Sequence, residues 1–145
     1  MTQIKLKASQ LHWQQIHLIR ERRIQRIQRT LKQIRAEVIA AVKESQAIRA
    51  GLDAQQQEQM TIVAHLTHKN SAWKLWRDAL SINHEKNQTL ESEYQKKLQI
   101  LAQANQKQAA WLKALLRAQI RYDESRKQLS LIARKIMDIE DENDV

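Results

Sequence analysis

The chain has 145 residues, enough for one ordinary domain, yet aromatics make up only 4%, phenylalanine, proline and cysteine are absent, and there is one glycine. This composition excludes a disulfide framework and a thiolate metal site, and it leaves too few turn-forming residues for a compact globule with many connections. Lysine and arginine outnumber the acids 25 to 16, a net charge of +9, so an anionic partner is the first class of function to weigh.

At the amino terminus, MTQIKLKASQLHWQQ lacks the apolar core of a signal peptide, and nowhere does an uncharged apolar run reach membrane-spanning length. The expectation is a soluble cytoplasmic protein without membrane insertion. The charge is uneven: residues 1–50 carry eleven Lys/Arg against three acids, residues 51–100 balance at six and six, and residues 101–145 carry eight against seven.

The first segment to concentrate this charge is RERRIQRIQRTLKQIR, residues 20–35, with seven basic side chains and one acidic one threaded by Ile24, Ile27, Leu31 and Ile34. Those four apolar residues open a heptad seam that continues through Val38, Ala41, Ser45, Ile48 and Leu52. Carried forward unbroken, the same register collects Ile62, Leu66, Trp73, Trp76, Leu80, Leu90, Tyr94, Leu101, Ala104, Trp111, Leu115, Ala118, Tyr122, Leu129, Ile132, Ile136 and Ile139. Strict apolar–polar alternation is sustained nowhere, so the helical period stands alone.

Polar residues on the seam choose between a hairpin and a single long helix paired with another chain. In an antiparallel hairpin, facing core residues have numbers with a constant sum, and a buried polar group needs a polar partner. A sum of 142 sets His17 against Ser125, Ser45 against Lys97, Gln55 against Asn87 and Gln59 against Asn83. Half of 142 is 71, in the polar run Thr67-His68-Lys69-Asn70-Ser71, where Asn70 or Ser71 is available as a helix cap. A competing turn lies at GLDAQQQEQ, where Gly51 is the lone glycine and Asp53 with Gln56 makes a capping pattern, but it leaves arms of very unequal length.

The expectation is an all-α, long two-helix antiparallel coiled-coil hairpin in one domain. Helix one covers about 3–66, the turn about 67–71, helix two about 72–140, and an acidic tail 141–145. Arms of that length make a rod on the order of 90 to 100 Å. The tail, with Asp138, Glu140, Asp141, Glu142 and Asp144, falls beside Lys5 and Lys7 where the chain ends meet.

Chemistry is sparse. His65 and His68, three residues apart, share a helix face but lack neighbouring carboxylates, so solvated turn histidines outweigh metal ligands. No nucleophile–base pair, glycine-rich phosphate loop or pocketed carboxylate pair is evident, so no enzyme, cofactor or metal is expected. Trp73, Trp76, Trp111, Tyr94 and Tyr122 all fall on the seam, where core packing is the ordinary role; Trp73 and Trp76, beside the turn, are the better candidates to present a ring to a partner. Arg22, Arg26, Arg29 and Lys32 take outward positions and form a basic stripe laid over the seam. A leucine-zipper transcription factor instead holds its basic region outside the zipper. With no base-reading or stacking set alongside, nucleic acid is disfavoured, while a merely solvating face weighs as much as all partner readings together.

A cysteine-free, Gln-rich, basic chain of this length with the pattern of one antiparallel hairpin resembles the FliJ/YscO/HrpO family, the central-stalk proteins of flagellar and virulence type III secretion systems. The resemblance covers the whole chain and rests on pattern, without a sharp residue motif. It implies a non-enzymatic stalk, monomeric when free, linking a cytosolic secretion ATPase ring to an export-gate protein and associating with export chaperones. Arg22, Arg26, Arg29 and Lys32 would then belong to the ATPase-facing end, and Trp73 and Trp76 to the gate-facing end. A structural coiled-coil dimer and a basic nucleic-acid-associated helical protein are the alternatives.

Overall fold

The computed structural model describes residues 2–67 and 72–144. It is an all-α helical hairpin of two long helices packed against each other, α1 (Gln3–Thr67) and α2 (Trp73–Asn143), with no strand among the described residues. Of the turn expected at about 67–71 only Thr67 is described, and it is the last residue of α1, its hydroxyl donating to Ala64 O at 2.8 Å. His68, Asn70 and Ser71, with the proposed caps, lie outside the described residues.

The competing turn at Gly51 is overturned. Gly51 is helical without a positive φ, and Asp53, rather than capping a helix, pairs with Arg49 one turn earlier at 3.5 Å. A Cβ added at Gly51 would meet only the Leu90 methyls at 3.8 and 3.9 Å, ordinary contact distances. Gly51→Ala should therefore stabilise the protein by about 0.5 to 1 kcal/mol through helix propensity. Urea unfolding followed by circular dichroism checks this, and a destabilised variant would mean that the helix needs a glycine there.

α2 runs three residues past the expected 140, so Asp141 and Glu142 are helical, and Asp144 N–H still bonds Glu140 O at 3.1 Å. Acidic side chains at a helix C-terminus oppose the macrodipole. The helix persists because Ile139 packs against a cluster of Leu6, Ile132 and Ile136, which anchors the last turns.

The chain forms two compact units, each built from both helices: Met1–Ile34 with Lys107–Val145, and Arg35–Gln106. In the first, the Leu6 cluster, which also takes in Trp13, and a second cluster of Ile27, Leu31 and Ala118 make the apolar core. Ile24, Ala114 and Leu115 pack on the second cluster. Seam layers in this unit follow the sum of 142: Leu6 clusters with Ile136, and His17 Nδ1 lies 2.7 Å from Ser125 Oγ. The Ser125 hydroxyl gives its proton to Tyr122 O at 2.7 Å, so His17 Nδ1–H is the donor and the buried hydroxyl is satisfied on both sides. The His17 ring stacks on Tyr122, centroids 4.3 Å apart.

In the second unit the polar layers depart from the sequence pairing. Ser45 bonds Val42 O in its own helix at 2.9 Å, while Lys97 reaches past it to Glu44 at 2.8 Å. A lysine stem can line the seam with its ammonium carried out to the rim, so Lys97 is satisfied one position from the expected partner. Gln55 was expected against Asn87 and Gln59 against Asn83; instead Asn83 Nδ2 donates to Gln55 O and Oε1, both at 3.0 Å, and Asn87 Nδ2 lies 3.4 Å from Asn83 Oδ1. A core residue sits between two layers of the facing helix, so an amide can bond diagonally as readily as straight across.

Candidate partner-binding surface

Arg22, Arg26, Arg29 and Lys32 are exposed along α1 in the first unit, as the heptad positions require. Among the described residues, no carboxylate pairs with any of the four; Arg29 Nε makes only a long 3.5 Å bond to Gln25 O in its own helix. The stems of Arg29 and Lys32, with Gln25 and Gln28, wall a shallow depression. Four unpaired cations on one stretch of helix make a surface that favours an anionic partner and contributes nothing obvious to the fold.

The first unit also holds basic residues that the sequence reading did not single out. Arg20, Arg23 and Arg121 line a groove with Ile16, Ile19 and Ala118, a cavity of about 260 Å³. The Arg20 guanidinium donates to Arg121 O, crossing from α1 to α2, and lies 4.0 Å from Glu124. Arg121 stands 101 positions from Arg20, and only pairing the flanks of the seam, as well as its core, would have joined them from sequence.

The two tryptophans beside the turn behave differently. Trp73 is 46% exposed, with the Arg77 guanidinium 5.3 Å over its ring. Trp76 is half-buried and stacks on His65, centroids 4.0 Å apart and planes 5° from parallel. His65, expected to be solvated, is thus a half-buried stacking partner, because the adjoining seam position brings an indole against it. Trp111, expected in the core, is 37% exposed, since a seam only two helices wide cannot cover an indole on all sides. Tyr94 is half-buried, with Arg49 6.0 Å from its ring centroid.

Among the described residues, no group of three or more His, Asp or Glu side chains is placed to hold a metal ion, and no helix is long and apolar enough to cross a membrane. Comparisons with protein-family models, with curated proteins and with solved structures give no match for this chain.

Proposed function

We propose that the chain is a non-enzymatic stalk or adaptor of a type III secretion export apparatus, linking a cytosolic secretion ATPase ring to an export-gate protein and associating with export chaperones. The reading starts from the family resemblance, and the observation that carries it furthest is the unpaired, exposed set Arg22, Arg26, Arg29 and Lys32 in the unit that gathers both ends of the chain. A ring subunit with a carboxylate-lined channel complements that surface. Trp73, half exposed near the hairpin end, is the aromatic available to a gate protein, while Trp76 serves mainly to hold His65 against α2. In this reading the protein works peripherally to a membrane-anchored machine, without cofactor or metal.

The test is binding to a secretion ATPase from the same cell. Reversing Arg22, Arg26, Arg29 and Lys32 to glutamate should weaken that binding by about tenfold or more while leaving helicity intact. Unchanged binding gives the stripe another use. Tight, steeply salt-dependent binding to an oligonucleotide, lost in the same variant, would replace the stalk reading with a nucleic-acid one.

A further inference from the structure

We propose that a second copy of this chain seats the acidic end of its α2 in the groove of Arg20, Arg23 and Arg121, so that two hairpins pair face to face about a two-fold axis. The groove offers charge in excess of its internal partners: Glu124 serves Arg20, whereas no carboxylate pairs with Arg23 or Arg121 among the described residues. Its walls also present Ile19, 60% exposed, an apolar floor that a small solvated anion would not use.

The complementary surface lies on the same side of the same unit. Glu142 follows Arg121 by three heptads, and Asp138 follows Glu124 by two, so this acidic pair faces as the groove faces. Both are exposed, and no cation pairs with either among the described residues; the expected pairing of the acidic tail with Lys5 or Lys7 is not formed. Twenty-one residues of helix separate Arg121 from Glu142, about 31 Å at 1.5 Å per residue, so the acids cannot reach the groove of their own chain. A second copy turned by a two-fold axis midway between Arg121 and Glu142 brings each Glu142 to the other Arg121, the self-complementary arrangement that closes a dimer, and sets Asp138 at the level of Glu124 and the Arg20 it serves. The midpoint of 121 and 142 falls beside Leu131, which is 49% exposed and one heptad from both Glu124 and Asp138; the two Leu131 side chains meet at the axis.

This dimer differs from a coiled coil that shares its seam between chains, because each hairpin keeps its own core and the contact is ionic at both ends. It does not depend on the stalk reading. Should that reading hold, the second copy covers the groove beside the basic stripe, and an acidic partner must displace it.

Sedimentation velocity of the full chain at about 0.1 M and about 1 M salt, where the Debye length falls from about 10 Å to about 3 Å, is the first measurement. A micromolar dimer at low salt that dissociates at high salt is expected; a monomer at both, or a dimer indifferent to salt, overturns the proposal. Charge reversal supplies the specific test. R23E/R121E sets acid against Glu142 and E142K sets a cation against Arg121, so each variant alone should be monomeric at low salt while an equimolar mixture forms a heterodimer. Circular dichroism verifies that both remain helical; should R23E/R121E lose helicity, R121E alone replaces it in the same mixing experiment. A mixture of folded variants that stays monomeric, or a variant that still dimerises alone, overturns the proposal.

Discussion

Leu31→Ala should cost about 2 to 4 kcal/mol of stability, a large share of what a domain of this size commands. Leu31 is 2% exposed and belongs to the cluster of Ile27 and Ala118, with Ile24, Ala114 and Leu115 packed on it. No deeper layer lies behind a seam two helices wide, so the lost methyl groups have few neighbours to close over the gap. Water can also enter from the flanks, which limits the empty volume and makes lost apolar burial the main cost. Urea unfolding monitored by circular dichroism reads the effect directly. Leu18→Ala is the control: Leu18 lies on the same helix but is 46% exposed, and its loss should stay within about 0.5 kcal/mol. Equal effects at the two sites would mean that the seam does not hold this unit together.

Asn83→Asp should be the most damaging single change in the Arg35–Gln106 unit. Asn83 is 2% exposed, and its Nδ2 donates to both Gln55 O and Gln55 Oε1. An ionised carboxylate at that point has no proton to donate, faces two acceptor oxygens and is withdrawn from water; about 3 kcal/mol or more is expected at neutral pH. The ceiling is the free energy of opening the hairpin end alone, because local unfolding relieves the strain. The pH dependence has a definite sign. Burial raises the folded-state pKa of this aspartate above its unfolded value, so the variant regains stability below the unfolded pKa, where the neutral acid can donate to Gln55. It loses that stability as pH rises through the folded pKa. Thermal melts of variant and parent across the acidic range check this, and a constant difference at every pH would show that Asn83 acts through shape and not as a hydrogen-bond donor.

The polar layers show where sequence arithmetic works and where it stops. His17 and Ser125 could be paired by number alone, since each is a short-reaching group at a seam position with a polar residue straight across. Asn83 could not, because an amide has donors and acceptors enough to choose a diagonal partner and leave the residue opposite to water. The extra length of α2 was hidden for a related reason. Its acidic composition argues against helix at that position, and the contrary contribution comes from Ile139 packing on a cluster that includes Leu6 from the other helix.

The candidate surface divides in the same way. Arg22, Arg26, Arg29 and Lys32 were legible because outward positions within one helix follow from its own period, and exposure needs no partner to define it. The groove of Arg20, Arg23 and Arg121 was not, since its walls come from both helices. The two tryptophans near the turn looked equivalent until the fold placed His65 against one and left the other half open.

By itself, the sequence determined that this chain is all helix, that it folds back once, and which residues line the seam. A heptad of apolar residues sets the helical period and its inward face, and the polar residues of the seam, paired about position 71, favour a fold-back over one long helix. Only the tertiary structure decided which polar groups satisfy one another, where the last helix stops, which aromatic rings are covered and which cations converge. Those outcomes depend on the reach and competition of side chains brought together from opposite ends of the chain, and such competition is resolved by distances that no spacing along one helix contains.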